Sequence, residues 1–151
     1  MKKIVFIFCL ILGGLQTING QRPINWEALA NVQWKNAYVK VLDGYYAVPS
    51  FSSGIESIND HEISIRGYYV PINMETNMFA LSKTPSNMCF FCGTGGMETV
   101  MEIVVKAGHN DLKRMQTDKF LELKGTFVIN RDDPYHLMYQ LVDAELVKVV
   151  R

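Results

Sequence analysis

The sequence predicts a mainly β domain, a five-stranded OB-like Greek-key barrel with short helices and an N-terminal extension. Three observations predict it. Two long segments alternate in the same phase with a glycine at the same place, five strand candidates follow one another from Ile63 onward, and a short polar connection follows the third of them. A small β-sandwich is the alternative, because five short strands at this spacing also fit two packed sheets.

The N-terminal part is the least legible. Trp26, Leu29 and Val32 recur at helical spacing, but too briefly to define a helix. Tyr38 to Leu42 reads as a strand broken at Asp43-Gly44, and Tyr45 to Val48 as a second apolar run ended by Pro49. The spacing of Phe51, Ile55 and Ile58 suits one or two helical turns closed by Asn59-Asp60. Next comes the pair of matched segments. Ile63, Ile65, Gly67 and Tyr69 share one face of the first, and Leu121, Leu123, Gly125 and Phe127 share one face of the second. A mid-strand glycine weakens packing, so its expected use is a sharp bend, and two kinks at the same depth point to a closed wall. Between them lie a short strand, Met78 to Leu81, and a longer one in which Met97, Thr99, Met101, Ile103 and Val105 share a face. Asn110 is placed to cap a short helix through Met115. After the turn signal Asn130 to Pro134, the apolar run Leu137 to Val150 slips phase, which predicts a bulge near Leu141 or Val142.

The chain of 151 residues holds 15 Lys+Arg against 15 Asp+Glu, room for one domain and no sign of disorder. The first twenty residues read as a secretory signal peptide: Lys2 and Lys3, an apolar run from Ile4 to Leu12, then a small residue, Gly20, at which a peptidase can cut. That run is about 9 to 12 residues, against roughly 20 for a membrane-spanning helix, so the processed protein is not expected to be integral to a membrane. Phe8 before Cys9 disfavours a lipoprotein cleavage site. The expected organisation is therefore 1–20 signal peptide, 21–54 an extension packing on the barrel, and 55–151 the barrel itself. Cleavage takes Lys2 and Lys3 from the 15 basic side chains and no acid, leaving 13 against 15, and an exported chain with no basic footprint makes nucleic acid a poor partner.

Once Cys9 is removed with the signal, Cys89 and Cys92 remain, spaced C-x-x-C and followed by Gly93. Three chemistries use that spacing, in this order of expectation. An oxidising exported environment favours a simple disulfide. Metal binding comes second: the pair has the form of half a zinc site, His136, His61 or His109 are the available nitrogen donors, and Met88, Met97 and Met101 would suit copper(I). Cys89, Cys92 and His136 are the chosen metal ligands, with zinc or copper(I) as the metal. Thiol-disulfide exchange is third, because Gly93, Gly95 and Gly96 after Cys92 are poor helix formers and no helix N-terminus is predicted to lower a thiol pKa.

The run Ile63 to Pro71 ending Gly67-Tyr68-Tyr69-Val70-Pro71, the short apolar strand leading into a cysteine segment, and the Gly125-centred strand together resemble exported bacterial proteins of a domain-of-unknown-function family. The resemblance spans roughly Phe51 to Val149, and implies an OB-type barrel behind a signal peptide, encoded near transporter genes. The sequence departs from that family at Cys89-Phe90-Phe91-Cys92-Gly93, where the family has one cysteine before a proline-rich run.

No Ser-His-Asp order and no paired-carboxylate spacing stands out, so no catalytic residue is assigned and the protein is expected not to be an enzyme. Asp132, Asp133 and His136 can be drawn as an acid/base or metal group, and a solvated turn explains them more simply. Trp34, Tyr45, Tyr46, Tyr68 and Tyr69 can line a ligand face or serve as strand core. The expected function is that of an exported, periplasmic or secreted, non-enzymatic binding or accessory module, with an envelope protein or transporter as candidate partner. The alternatives are a periplasmic metal-binding or metal-delivery protein and, last, a thiol-disulfide oxidoreductase.

Overall fold

A computed structural model describes residues 22–73, 78–88, 93 and 95–150. The expected signal peptide, Cys89 and Cys92 lie outside the described residues. Among those described, the elements in chain order are β1 (Arg22–Pro23), α1 (Trp26–Leu29), β2 (Val32–Val39), β3 (Gly44–Phe51), α2 (Ser53–Glu56), β4 (His61–Asn73), β5 (Met78–Ser82), β6 (Val100–Val105), β7 (Phe120–Ile129) and β8 (Tyr139–Val149).

Strands β4, β5, β6, β8 and β7 hydrogen-bond in that order, and β7 returns to β4 along the whole stretch from His61↔Phe127 to Tyr68↔Phe120. The sheet therefore closes into a five-stranded barrel and not a sandwich, with β1 added in parallel to β4 as a sixth strand. Counting only the barrel strands, the ring runs first, second, third, fifth, fourth and back to the first. The third and fifth, β6 and β8, are parallel, which is the connection expected of an OB-type barrel. The inward sets are the ones that alternation selects. Along β7, Leu121, Leu123, Gly125, Phe127 and Ile129 are buried and the residues between them are half-exposed. Ile63, Ile65 and Tyr69 of β4, Phe79 and Leu81 of β5, and Met101 and Ile103 of β6 meet them in one core.

The two glycines act differently from the expectation. Because β4 and β7 are antiparallel, equal places in the two sequence patterns fall on different rungs: Gly125 pairs with Ile63 and Gly67 with Leu121, either side of Ile65↔Leu123. They do not kink the wall at one depth. Each instead admits the strand on its other side. A Cβ on Gly67 would stand 2.6 Å from the Ser82 carbonyl oxygen of β5, and one on Gly125 would stand 2.7 Å from the Val142 carbonyl oxygen of β8. Opposite that second contact β8 carries the predicted bulge, one residue later than expected. Lys124↔Glu145 and Thr126↔Val142 leave an extra residue in β8, and Asp143 takes a left-handed φ of 52°. The bulge turns Tyr139 and Leu141 inward before it and Ala144 after it, so the apparent change of phase keeps one face on the core.

Three other expectations are corrected. Strand β6 begins only at Val100, since Met97–Thr99 forms a 3-10 turn, so Met97 and Thr99 leave the shared strand face. Leu112–Arg114 is a 3-10 turn entered from Asp111 with no side-chain cap, and Asn110 caps nothing; Leu112 is what matters there, buried in the core. Pro49 does not end β3, which pairs with β2 through Val32↔Phe51. A proline is tolerated at that point because a two-stranded ribbon leaves an edge on which no N–H is required.

Two short helices precede β4 and contribute buried residues to the core. Asn25 caps α1 by accepting from the Ala28 N–H at 3.0 Å, Trp26 donates its indole N–H to the Arg66 carbonyl at 2.8 Å, and Leu29 is buried. The Tyr139 hydroxyl donates to the Leu29 carbonyl at 2.8 Å, tying α1 to β8. Ser52 caps α2, whose Ile55 joins the same core. Gly67→Ala should lower stability by about 2–4 kcal/mol, since the displaced partner is backbone. Urea denaturation reads the change, and an unaltered midpoint would show that the β4–β5 approach is not tight.

Candidate functional site

Strands β2 and β3 form a two-stranded ribbon that pairs with no other described strand. Its base is fixed by Val32 and Phe51, which pack against the core, Phe51 with its ring 5.8 Å from that of Tyr139. The rest is exposed: Trp34, Tyr38, Val41, Tyr45 and Tyr46 present 40% or more of their surface to solvent. A single hairpin is marginal by itself, and this one is steadied at its tip. There Lys40–Leu42 make a 3-10 turn, Asp43 adopts a left-handed φ, the Tyr38 hydroxyl bonds the Asp43 carboxylate, and the Tyr38 and Tyr45 rings meet edge-on at 5.5 Å.

The ribbon overhangs the barrel and leaves a cleft of about 230 Å³. Trp34, Tyr46 and Val48 form the ribbon wall, Met97 and Met138 are apolar residues from the barrel side, and residues 130–134 with His136 form the rim. That rim is a built turn. The Asn130 side chain accepts from the Asp133 N–H at 3.1 Å and donates to the Asp133 carbonyl at 2.7 Å, and Asp133 accepts from the Tyr135 N–H at 2.9 Å. The solvated turn predicted from Asn130 onward is present, and Asp132, Asp133 and His136 are exposed on it.

His136 does not stand alone. Its Nδ1 lies 2.8 and 3.0 Å from the two oxygens of Glu102, a carboxylate 5% exposed in the middle of β6. Glu102 also accepts from the Leu137 N–H at 3.1 Å and from the Gln140 amide at 3.5 Å. Burying an unpaired carboxylate would be expensive, and these donors are what allow it. Glu102 holds the imidazole pKa above its usual value, by hydrogen bond first and charge second, with Asp133 adding to the effect. The other ring nitrogen, Nε2, faces Asp133 at 3.9 Å. The pair also borders a second hollow, of about 380 Å³, on the β5–β6 side.

Glu102 was missed by sequence reasoning, and its signal was present: it is the one charged residue in Val100-Met101-Glu102-Ile103-Val104-Val105. Of the predicted metal ligands, His136 is in this site and Cys89 and Cys92 lie outside the described residues. His61 is the exposed first residue of β4, and its Nδ1 is 2.8 Å from the Asn59 carbonyl. Among the described residues no group of three or more His, Cys, Asp and Glu converges as a metal site. The proposed aromatic face divides. Trp34 and Tyr46 line the cleft, Tyr45 is on the ribbon surface, Tyr68 stacks on Phe120 at 4.8 Å, and Tyr69 is core, 5.5 Å from Phe79. Burial pushes the Tyr69 phenol up to about 12. No helix among the described residues is long and apolar enough to cross a membrane.

No family model matches the chain, and no curated protein matches it. Among solved structures the chain is similar to the crystal structure of a DUF3299 family protein from Pseudomonas aeruginosa PAO1, with a TM-score of 0.49 and 12% identity, covering 87% of this chain and 99% of that one. No residue or role is carried over from it.

The His136–Glu102 pair makes stability depend on pH with a definite sign. The folded histidine titrates above the ordinary 6.5, so its contribution is complete below that value and is lost as pH rises through the folded pKa. His136→Ala should cost about 1 kcal/mol near pH 6, a figure kept small because the imidazole is partly exposed and screened. The difference between the two proteins should narrow toward alkaline pH in denaturant titrations. A gap that widens with pH would contradict the assignment.

Proposed function

We propose that this protein is an exported, non-enzymatic binding module whose ligand enters the cleft between the β2–β3 ribbon and the barrel. One observation carries the reading: Trp34 and Tyr46 remain solvent-facing over an apolar floor, while the polar groups nearby, Glu102 and Asn130, have their hydrogen bonds satisfied. Open aromatic walls with a few fixed polar groups are what a small-molecule site requires. Export follows from the Lys2 to Gly20 segment, and an accessory role beside an envelope protein or transporter is consistent with it. Indole and benzyl alcohol serve as probes. In an amide NMR titration their shifts should concentrate at Trp34, Ala47 and residues 131–136, and Trp34→Ala should weaken indole by about tenfold without lowering the melting temperature. Shifts scattered over the barrel wall, or multi-turnover conversion of a bound compound, would remove the proposal.

A second reading is metal binding through Cys89, Cys92 and His136, with zinc or copper(I). It is favoured by the way Glu102 holds Nδ1, because a carboxylate on one ring nitrogen is how ligand histidines are oriented and their basicity raised. Protein purified reduced and without oxygen should retain metal, and Cys89→Ser/Cys92→Ser should abolish retention, with His136→Ala reducing it. Equal metal in wild type and the double serine variant would dismiss this reading.

A further inference from the structure

The cleft carries a charge pattern that selects among ligands, a selectivity that rests on the cleft being the binding site. Four ionisable side chains form its rim: Arg131, Asp132, Asp133 and His136. Two positive groups are already neutralised. Arg131 places a guanidinium nitrogen 2.5 Å from Glu56, with its guanidinium carbon 5.4 Å from the centre of the Phe51 ring, so its charge is directed toward α2 and the ribbon base. His136 is engaged through Nδ1 by Glu102. Lys35 pairs across the ribbon with Val48 but does not line the cleft.

The two negative groups are treated differently. Asp133 meets only the distant face of His136 and one backbone N–H, and the Asp132 carboxylate makes no hydrogen bond or ion pair among the described residues. Two carboxylates with little compensation thus belong to the same cleft lining as Trp34, Tyr46, Met97 and Met138. An aromatic face attracts a cation through its quadrupole, and a carboxylate attracts it by charge. A neutral apolar ligand gains nothing from the carboxylates, and an anion is repelled by them.

We propose that the cleft binds a small organic cation: an ammonium, quaternary ammonium or guanidinium group on a short apolar or aromatic stem, with the stem between Trp34, Tyr46 and the methionines and the charge toward Asp132 and Asp133. A volume of about 230 Å³ admits a ligand of that size. Recognition of a quaternary ammonium by aromatic rings is a recurrent use of this chemistry.

The test compares three probes of similar size on the full processed chain: benzyltrimethylammonium, benzyl alcohol and benzoate, followed by the amide shifts of Trp34, Ala47, Arg131, Asp132, Asp133 and His136. The cation should bind about tenfold more tightly than the alcohol, with benzoate weakest. Asp132→Asn/Asp133→Asn should erase that preference, bringing the cation's affinity down to that of the alcohol for the same variant; asparagine keeps the oxygen that accepts from the Tyr135 N–H, so the turn persists. Raising the salt concentration should narrow the gap between cation and alcohol. Equal affinity for cation and alcohol overturns the cation inference and leaves the cleft reading standing. Failure of every probe to move cleft amides at millimolar concentration removes the cleft reading and the inference together.

Discussion

Closing five strands into a ring is the constraint on which the rest of this molecule depends. A sheet of so few strands closes only if neighbouring backbones approach closely at its corners, and side chains occupy the space where that must happen. The chain meets the requirement at Gly67 against β5 and at Gly125 against the bulged part of β8, where an added Cβ would stand within 3 Å of a backbone carbonyl oxygen. Closure removes the open edges of the main sheet and leaves one continuous interior for Tyr69, Phe79, Phe127 and Tyr139. The ribbon of β2 and β3 is then surplus to the barrel. It is free to stand over the outside of the wall, and the cleft exists because of that separation.

The same closure explains how a carboxylate comes to be buried outside the hydrophobic interior. Glu102 is on the outward face of β6, between the inward Met101 and Ile103, and would be solvated if β6 were an edge. The parallel pairing with β8 sets Gln140 beside it, and the turn from Asn130 brings His136 and the Leu137 N–H over it. Three donors from one stretch, His136 to Gln140, converge on one acid. Such a network is costly if any member is lost, so it also fixes the rim that carries Asp132 and Asp133.

Surface ion pairs elsewhere add little to this picture. Arg66 and Lys148 flank Glu122, and Lys106 and Lys124 flank Glu145, each holding the carboxylate below its usual pKa range. They are exposed pairs across neighbouring strands, of a kind that sets register more than stability. The stability of the barrel resides in the apolar interior and in the caps that seal it, with α1 joined to β8 through the Tyr139 hydroxyl.

Alternation alone identified the inward faces of β4 and β7, the five barrel strands and the presence of a bulge in β8, because period-two burial is written residue by residue. Turn chemistry located the bend at Asn130 for the same reason. What the pattern does not contain is direction. Whether two glycines in similar segments lie side by side depends on the antiparallel pairing of those segments, and that pairing sends Gly67 and Gly125 to different rungs. The partner of His136 was likewise invisible, since Glu102 is 34 positions away and its lone charge in an apolar strand acquires meaning only once β6 and β8 are neighbours. The ribbon's aromatics read as strand core before ligand wall, and only the barrel's closure without β2 and β3 put Trp34 and Tyr46 outside it. Local sequence determines which face of a strand is apolar; the tertiary structure decides which side chains from distant segments meet, because that depends on how the sheet closes.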